Sequence, residues 1–85
     1  MVESLEFTGY PNPALEFISL KSMNKRVFTD KLMVKIFDSM GQLRDTRSFS
    51  PTGELRVNIN ELDPGQYYVK VFYNRELTII PFVKI

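Results

Sequence analysis

The sequence predicts an all-β domain, an Ig-like antiparallel β-sandwich of about seven strands. Apolar residues recur at every second position in one run after another, and Gly and Pro lie mostly between those runs. No stretch shows the 3.6-residue spacing of an amphipathic helix. Because no helical segments are available as parallel crossovers, short strands separated by turns favour antiparallel packing in two layers.

Three runs show the clearest alternation. Leu55, Val57 and Ile59 alternate with polar residues in the segment 54–59, so three branched side chains share one face of a strand. Two further runs predict inward sets in the same way: Leu32, Val34 and Ile36 in one, and Tyr67, Val69, Val71 and Tyr73 in the other. The remaining predicted strands are 5–8, 16–21, 42–48 and 76–84, with 26–28 as a weak additional segment.

The connections carry turn residues. Residues 39–41 predict a short hairpin loop in which Gly41 takes a positive φ, residues 50–53 predict a type I turn, and residues 74–75 predict a two-residue hairpin. All three predict antiparallel neighbours on either side. Pro81 alone interrupts a strand, so the last strand is expected to be an edge strand or to bulge at that residue.

Length and charge limit the function classes. Eighty-five residues predict one domain over residues 1–85, and a net charge of +1 with both signs interspersed argues against nucleic acid as a partner. The longest apolar runs are far below the 18 residues of a membrane span, and the N-terminus lacks the features of a signal peptide, so no direct membrane insertion is expected. Met1 is interpreted as an added start, with the domain excised from a longer protein.

Catalysis is disfavoured by the absence of His and Cys. Without them, no His-based triad, Cys nucleophile, disulfide or usual zinc site can form, and we expect neither a metal nor a cofactor. The carboxylates that remain lie mostly in or beside predicted turns, where solvated Asp and Glu are common: Asp38, Asp45, Glu54, Glu61, Asp63 and Glu76. The sequence therefore predicts a chain that is not an enzyme.

Two motifs precede predicted strands. Leu62, Gly65 and Tyr67 have the L-x-x-G-x-Y spacing of a tyrosine corner, in which the Tyr hydroxyl bonds to backbone a few residues upstream. The segment Tyr10-Pro11-Asn12-Pro13-Ala14 holds two prolines that restrict their own φ angles and keep the preceding residues extended. It predicts a stiff corner, and a loop that aims the next strand would by itself explain both prolines.

Four segments in order resemble one family. They are YPNPA at 10–14, VKIFDSMGQL at 34–43, ELRVNINELDPGQYYVKVF at 54–72 and FVKI at 82–85. Together they resemble the C-terminal sorting domain of the type IX secretion system, over residues 10–85. The residues that match the motifs of that family are Tyr10, Pro11, Asn12, Pro13, Gly41, Leu62, Gly65, Tyr67, Val83 and Lys84.

The resemblance implies a non-catalytic address at the C-terminus of a protein of Bacteroidetes-type bacteria. It implies passage through the periplasm, recognition by the type IX translocon and its carrier proteins, and delivery to the outer membrane, the cell surface or the medium. A sortase-like protease commonly cuts upstream of such domains. The chain departs from the pattern at its end, where many members finish on a basic residue but this one finishes on Ile85.

Alternation also predicts an outward apolar patch. If Val34, Ile36, Val69 and Val71 point inward, then four apolar residues point outward: Met33, Phe37, Tyr68 and Phe72. Ile80 and Phe82 are candidates to join them. The patch is interpreted as a partner-binding face or a homodimer contact; coverage by the N-terminal strand or by the rest of the parent protein remains the alternative.

A second function stays open from the sequence. An Ig-like or fibronectin-like accessory module would bind carbohydrate or act as a spacer, with exposed Tyr68 or Tyr73 as a platform for a sugar ring. The position of the domain in the intact gene separates the two hypotheses. A place at the end of a long exported protein supports sorting, and a place in mid-chain supports the accessory module.

Overall fold

Within residues 4–85, seven strands form two antiparallel sheets that pack face to face. The computed structural model describes residues 4–85, so Met1 lies outside the described residues. The strands are β1 (Phe7–Tyr10), β2 (Phe17–Ser22), β3 (Leu32–Asp38), β4 (Leu43–Phe49), β5 (Glu54–Asn58), β6 (Gly65–Tyr73) and β7 (Glu76–Lys84). One sheet has the order β1-β2-β5 and the other β4-β3-β6-β7. The predicted Ig-like sandwich is confirmed.

The core lies between the two sheets and uses the inward positions that alternation predicts. In the four-stranded sheet Val34 lies opposite Val71 and Ile36 opposite Val69, and all four side chains are buried. The three-stranded sheet contributes an equivalent layer from β2 and β5, where Ile18 pairs with Val57 and Leu20 with Leu55. Burial of such branched side chains stabilises a domain by about 1.5–3 kcal/mol each.

The weak strand predicted at 26–28 is wrong. This segment has no ladder partner and is held by side chains instead. Phe28 is buried, and its ring meets Tyr73 edge-on with 4.9 Å between the centroids. Three residues are too few for period-2 alternation to distinguish a strand from an irregular segment with one buried aromatic residue.

Two of the predicted hairpins are confirmed, and the third connection differs. Gly41 has a φ of 84° in the β3–β4 loop, and Asn74 has a φ of 54° in the two-residue loop between β6 and β7. Residues 50–53 do not join antiparallel neighbours, because β4 and β5 belong to different sheets. The same turn residues serve a crossing from one sheet to the other.

Pro81 lies in the edge strand of the four-stranded sheet, as expected. The register between β6 and β7 runs without a shift from Gly65 to Tyr73, so the strand does not bulge. The Val83 backbone groups point away from β6 toward the open edge, and Pro81, two residues earlier, has the same orientation. The missing N–H of Pro81 therefore removes no bond from the β6–β7 ladder.

Candidate functional site

The proline segment is hydrogen-bonded to the last strand. The Ala14 N–H donates to the Val83 carbonyl at 2.8 Å, and the Ile85 N–H donates to the Ala14 carbonyl at 2.9 Å. The Val83 N–H donates to Oδ1 of Asn12 at 3.0 Å. We call these three bonds the terminal clip. They pair the edge of β7 with a segment about 70 residues earlier in the chain, so the two ends of the domain are held together.

Local structure places the clip residues. The peptide bonds before Pro11 and Pro13 are both cis. Ala14 is fully buried and forms a parallel bridge with Lys84. Lys84 is itself buried, and its ammonium group donates to the Ile85 carbonyl at 2.7 Å. The Asn12 side chain therefore satisfies a backbone donor, because it accepts from the Val83 N–H, which the sheet leaves unpaired.

The tyrosine corner lies directly beneath the clip. Tyr67 is buried, and its hydroxyl donates to the Asp63 carbonyl at 2.6 Å, the hydrogen bond that the motif predicts. Its ring stacks on Phe82 with 5.6 Å between the centroids. Gly65 has a φ of 156°, a conformation that residues with a Cβ rarely adopt. The corner therefore joins the 59–65 loop to the strand that carries the clip.

Tyr67→Phe is expected to lower the free energy of unfolding by about 0.5–1.5 kcal/mol. The substitution removes the hydrogen bond to Asp63 but keeps the ring on Phe82. Urea denaturation measures the change. Tyr68→Phe is the matched control, because that ring is 37% exposed and its loss of a hydroxyl should leave the midpoint unchanged. Equal midpoints for Tyr67→Phe and the unmodified chain would show that the corner bond does not stabilise the fold.

All the residues singled out from the sequence motifs lie at one end of the sandwich. Asp38, which begins the hairpin of Gly41, pairs with Tyr67, and Gly65 pairs with Lys84. The bridge between Ala14 and Lys84 adds the proline segment to the same end. The sequence predicts these residues one motif at a time, but only the register shows that they are neighbours.

The predicted patch faces outward on the four-stranded sheet. Met33 lies opposite Phe72 and Phe37 opposite Tyr68 on neighbouring strands β3 and β6. Met33 and Tyr68 are exposed, and the two Phe side chains are half-buried. Their orientation is therefore as expected. A role in contact with a partner stays a prediction.

Comparison with known families places the chain. The family described as the secretion system C-terminal sorting domain matches residues 8–84, nearly the whole chain. The chain belongs to this family. Its members carry the C-terminal sorting signal of the type IX secretion system and are generally non-catalytic. The sorting domain accordingly interacts with the type IX machinery and directs export. No curated protein matches the chain.

Two residues expected to join the outward patch of the sorting domain point inward instead. Ile80 pairs with Val69 and Phe82 with Tyr67, and residues opposite each other in a ladder share a face. Both are buried in the core. The outward residues of β7 are those that alternate with the inward ones: Leu77, Ile79, Pro81 and Val83.

Tyr73 is not an exposed platform for a sugar ring. Its side chain is buried beside Phe28, and its hydroxyl accepts from the Thr29 N–H at 2.9 Å. Hydrogen bonds from the side chain and the backbone of Thr29 lower the pKa of the Tyr73 phenol below its ordinary value of 10.0. Of the two tyrosines considered for carbohydrate, only Tyr68 faces solvent, so the accessory-module hypothesis loses half of its proposed site.

The carboxylates of the sorting domain are mostly used in turns or ion pairs. Oδ1 of Asp38 accepts from the Met40 and Gln42 N–H groups, each at 2.9 Å. Glu76 differs from the expected solvated turn residue, because the Arg26 guanidinium binds both of its oxygens. Within residues 4–85 no cluster of acidic side chains could hold a metal ion. The same range contains no helix long and apolar enough to cross a membrane.

Glu76→Gln is expected to destabilise the sorting domain near neutral pH, with a deficit that disappears in acid. Hydrogen bonds from Arg26 lower the pKa of Glu76 below its ordinary value of 4.5. A carboxylate with a lowered pKa stabilises the fold above its unfolded-state pKa, and that contribution is lost as the pH falls through the folded-state pKa. Melting temperatures of both chains across an acid pH series measure the deficit.

Glu61→Gln is the control for this pH series, since Glu61 is exposed and has no salt bridge within the described residues. Its melting temperature should follow that of the unmodified chain at every pH. A Glu76→Gln deficit that persists at the acid end would contradict a stabilising role for the ionised carboxylate.

Proposed function

We propose that this chain is the signal that carries its parent protein from the periplasm through the type IX system across the outer membrane. The observation that carries the proposal is the gathering of the motifs at one end of the sandwich. The terminal clip joins the proline segment to the last strand, and the tyrosine corner supports that strand through Phe82. The translocon would then recognise a folded end rather than a linear tail.

This proposal assigns the binding step to the type IX translocon and its carrier proteins. Lys84 is buried, and its ammonium group donates to the Ile85 carbonyl rather than facing solvent. We therefore expect the translocon to recognise the shape of the sandwich end that carries the terminal clip, together with its exposed rim. Tyr10 and Val83 belong to that rim. A sortase-like protease acting upstream would leave the cargo anchored at the cell surface or released.

A reporter fusion tests the proposal. A reporter with a periplasmic signal, followed by residues 1–85, is expressed in a type IX-competent strain and in a strain that lacks the system. We expect reporter at the surface or in the medium only in the competent strain. Retention in the periplasm of the competent strain, or equal release from both strains, would refute the proposed function.

Asn12→Ala in the same fusion tests whether the clip is part of the signal. The substitution removes the side-chain acceptor of the Val83 N–H, at a cost to stability of about 0.5–1.5 kcal/mol. We expect a folded domain whose surface delivery falls. Asn24→Ala is the matched control, because Asn24 also makes side-chain hydrogen bonds near the surface but lies beside the start of β1, at the other end of the sandwich. Equal surface delivery by the Asn12→Ala and Asn24→Ala fusions would show that the clip is not part of the signal.

A further inference from the structure

The outer face of the four-stranded sheet has a pair of lysines at its centre. Lys35 on β3 lies directly opposite Lys70 on β6. Met33 and Phe72 flank this pair on one side, and Phe37 and Tyr68 flank it on the other. We call these six residues the lysine–aromatic face. It combines two cations with an apolar rim that continues across Leu77 and Ile79 of β7.

The aromatic rings hold both ammonium groups on this face. Nζ of Lys70 lies 4.5 Å from the centroid of the Phe37 ring, and Nζ of Lys35 lies 5.5 Å from that of Phe72. A cation over an aromatic face is attracted by the quadrupole of the ring. Both charges therefore lie beside apolar surface before any partner arrives, one on each side of the Lys35–Lys70 row.

The positive charge of the face has no negative counterpart. The residues that share it on β4, β6 and β7 are all uncharged apart from Lys70: Leu43, Thr46, Ser48, Gln66, Tyr68, Phe72, Leu77, Ile79, Pro81 and Val83. The ion pairs found within residues 4–85 all use arginine. Like charges directly opposite on one face of a sheet repel each other, so placing these two lysines opposite each other costs the fold stability.

We infer that the lysine–aromatic face binds a protein partner that places one Asp or Glu carboxylate between Lys35 and Lys70, with apolar side chains on either side. The inference rests on the proposed function and specifies the chemistry of the partner. A carboxylate there would relieve the repulsion, and each ammonium group would turn from its ring toward the carboxylate to donate a charge-assisted hydrogen bond. A depression of about 400 Å³ beside Met33, Lys35 and Phe72 offers room for a neighbouring apolar side chain.

Charge decides against a second copy of this chain as the occupant. A two-fold dimer through the face would bring one lysine pair onto the other, because an isologous contact joins the same patch on both copies. It would supply no carboxylate. A polyanion such as a phosphorylated glycan is also a poorer fit, since Lys35 and Lys70 set in apolar surface, with Lys31 at its edge, provide neither an Arg fork nor a broad basic patch.

Peptide binding tests the inference directly. The probe is the capped pentapeptide acetyl-Leu-Phe-Glu-Phe-Leu-amide, titrated into the full 85-residue chain and followed by NMR. We expect shifts of the Lys35 and Lys70 side-chain signals and of the amides of β3 and β6. The same peptide with Gln in place of Glu should bind at least tenfold more weakly. Equal binding of the two peptides, or no shifts at the lysines, would overturn the inference.

Charge reversal tests the face in the cell. Lys35→Glu with Lys70→Glu should abolish peptide binding and reduce surface delivery of the reporter at least tenfold. Lys21→Glu with Lys25→Glu is the matched control, because it makes the same change in net charge at exposed sites outside the face. If the reversed pair fails to fold, Lys35→Met with Lys70→Met removes both charges from the same positions and should show the same loss. Normal delivery by a folded variant would overturn the inference.

Other occupants give different results. Concentration-dependent dimerisation that is lost in Phe72→Ser would point to a second copy, and lysine shifts with anionic phosphatidylglycerol vesicles but not with the Glu peptide would point to a lipid surface. Either result would overturn the inference. An unmodified domain that fails to export the reporter refutes the proposed function. If the unmodified domain exports the reporter normally and the folded Lys35→Glu, Lys70→Glu variant exports it equally well, only the docking face is refuted.

Discussion

Phe82→Ala is expected to lower the free energy of unfolding of the sorting domain by about 3–5 kcal/mol, the range for truncating a buried Phe. The side chain is only 1% exposed and stacks on the Tyr67 ring. Because domains are stable by only about 5–15 kcal/mol in total, the loss is a large share of the whole. Urea denaturation followed by circular dichroism measures the change.

Val83→Ala is the matched control for this prediction. Val83 is the next residue along β7 but points outward and is 40% exposed, so its truncation should change stability by less than about 0.5 kcal/mol. Its backbone keeps the terminal clip in both chains. A larger loss from Val83→Ala than from Phe82→Ala would show that the two faces of β7 are reversed.

Alternation predicted the inward and outward faces of β3 and β6 from the sequence because a lysine between two branched residues marks the outward position in each strand: Lys35 between Val34 and Ile36, and Lys70 between Val69 and Val71. In β7 the apolar residues Ile79, Ile80, Pro81, Phe82 and Val83 are consecutive, so the sequence has no period from which to choose a face. Only the pairing of Val69 with Ile80 decides it. The error over Ile80 and Phe82 therefore arises from a missing long-range register.

Long-range contacts also explain what the sequence could not predict about the candidate site. The proline segment and the last strand each carry a recognisable motif, but nothing local indicates that the Val83 N–H meets Asn12. Pro81 was the available signal, because a proline in an edge strand implies unpaired backbone groups nearby. Residues 50–53 show the same limit, since a turn sequence does not state whether the chain returns to its own sheet.

Tyr73→Ala is expected to cost about 3–5 kcal/mol, as for other buried aromatic residues, while Tyr68→Ala should cost less than about 1 kcal/mol. The carbohydrate hypothesis treats these two tyrosines alike as exposed rings, but they lie on opposite faces of β6, as alternation along the strand predicts. Tyr73 packs edge-on against Phe28 and accepts the Thr29 N–H, whereas Tyr68 lies on the outer face opposite Phe37. Urea denaturation of both variants gives the comparison.

Tyr73→Phe divides this effect into its two parts. It keeps the ring on Phe28 but leaves the Thr29 N–H without its acceptor, so we expect a loss of about 1 kcal/mol, well below that of Tyr73→Ala.

The alanine variants Tyr73→Ala and Tyr68→Ala separate folding from recognition in the reporter assay. Tyr73→Ala should reduce export because the domain is destabilised, and Tyr68→Ala should reduce it with stability nearly unchanged. Full stability of Tyr73→Ala would mean that this ring is not core, and a glycan-binding role for Tyr73 would then regain its support.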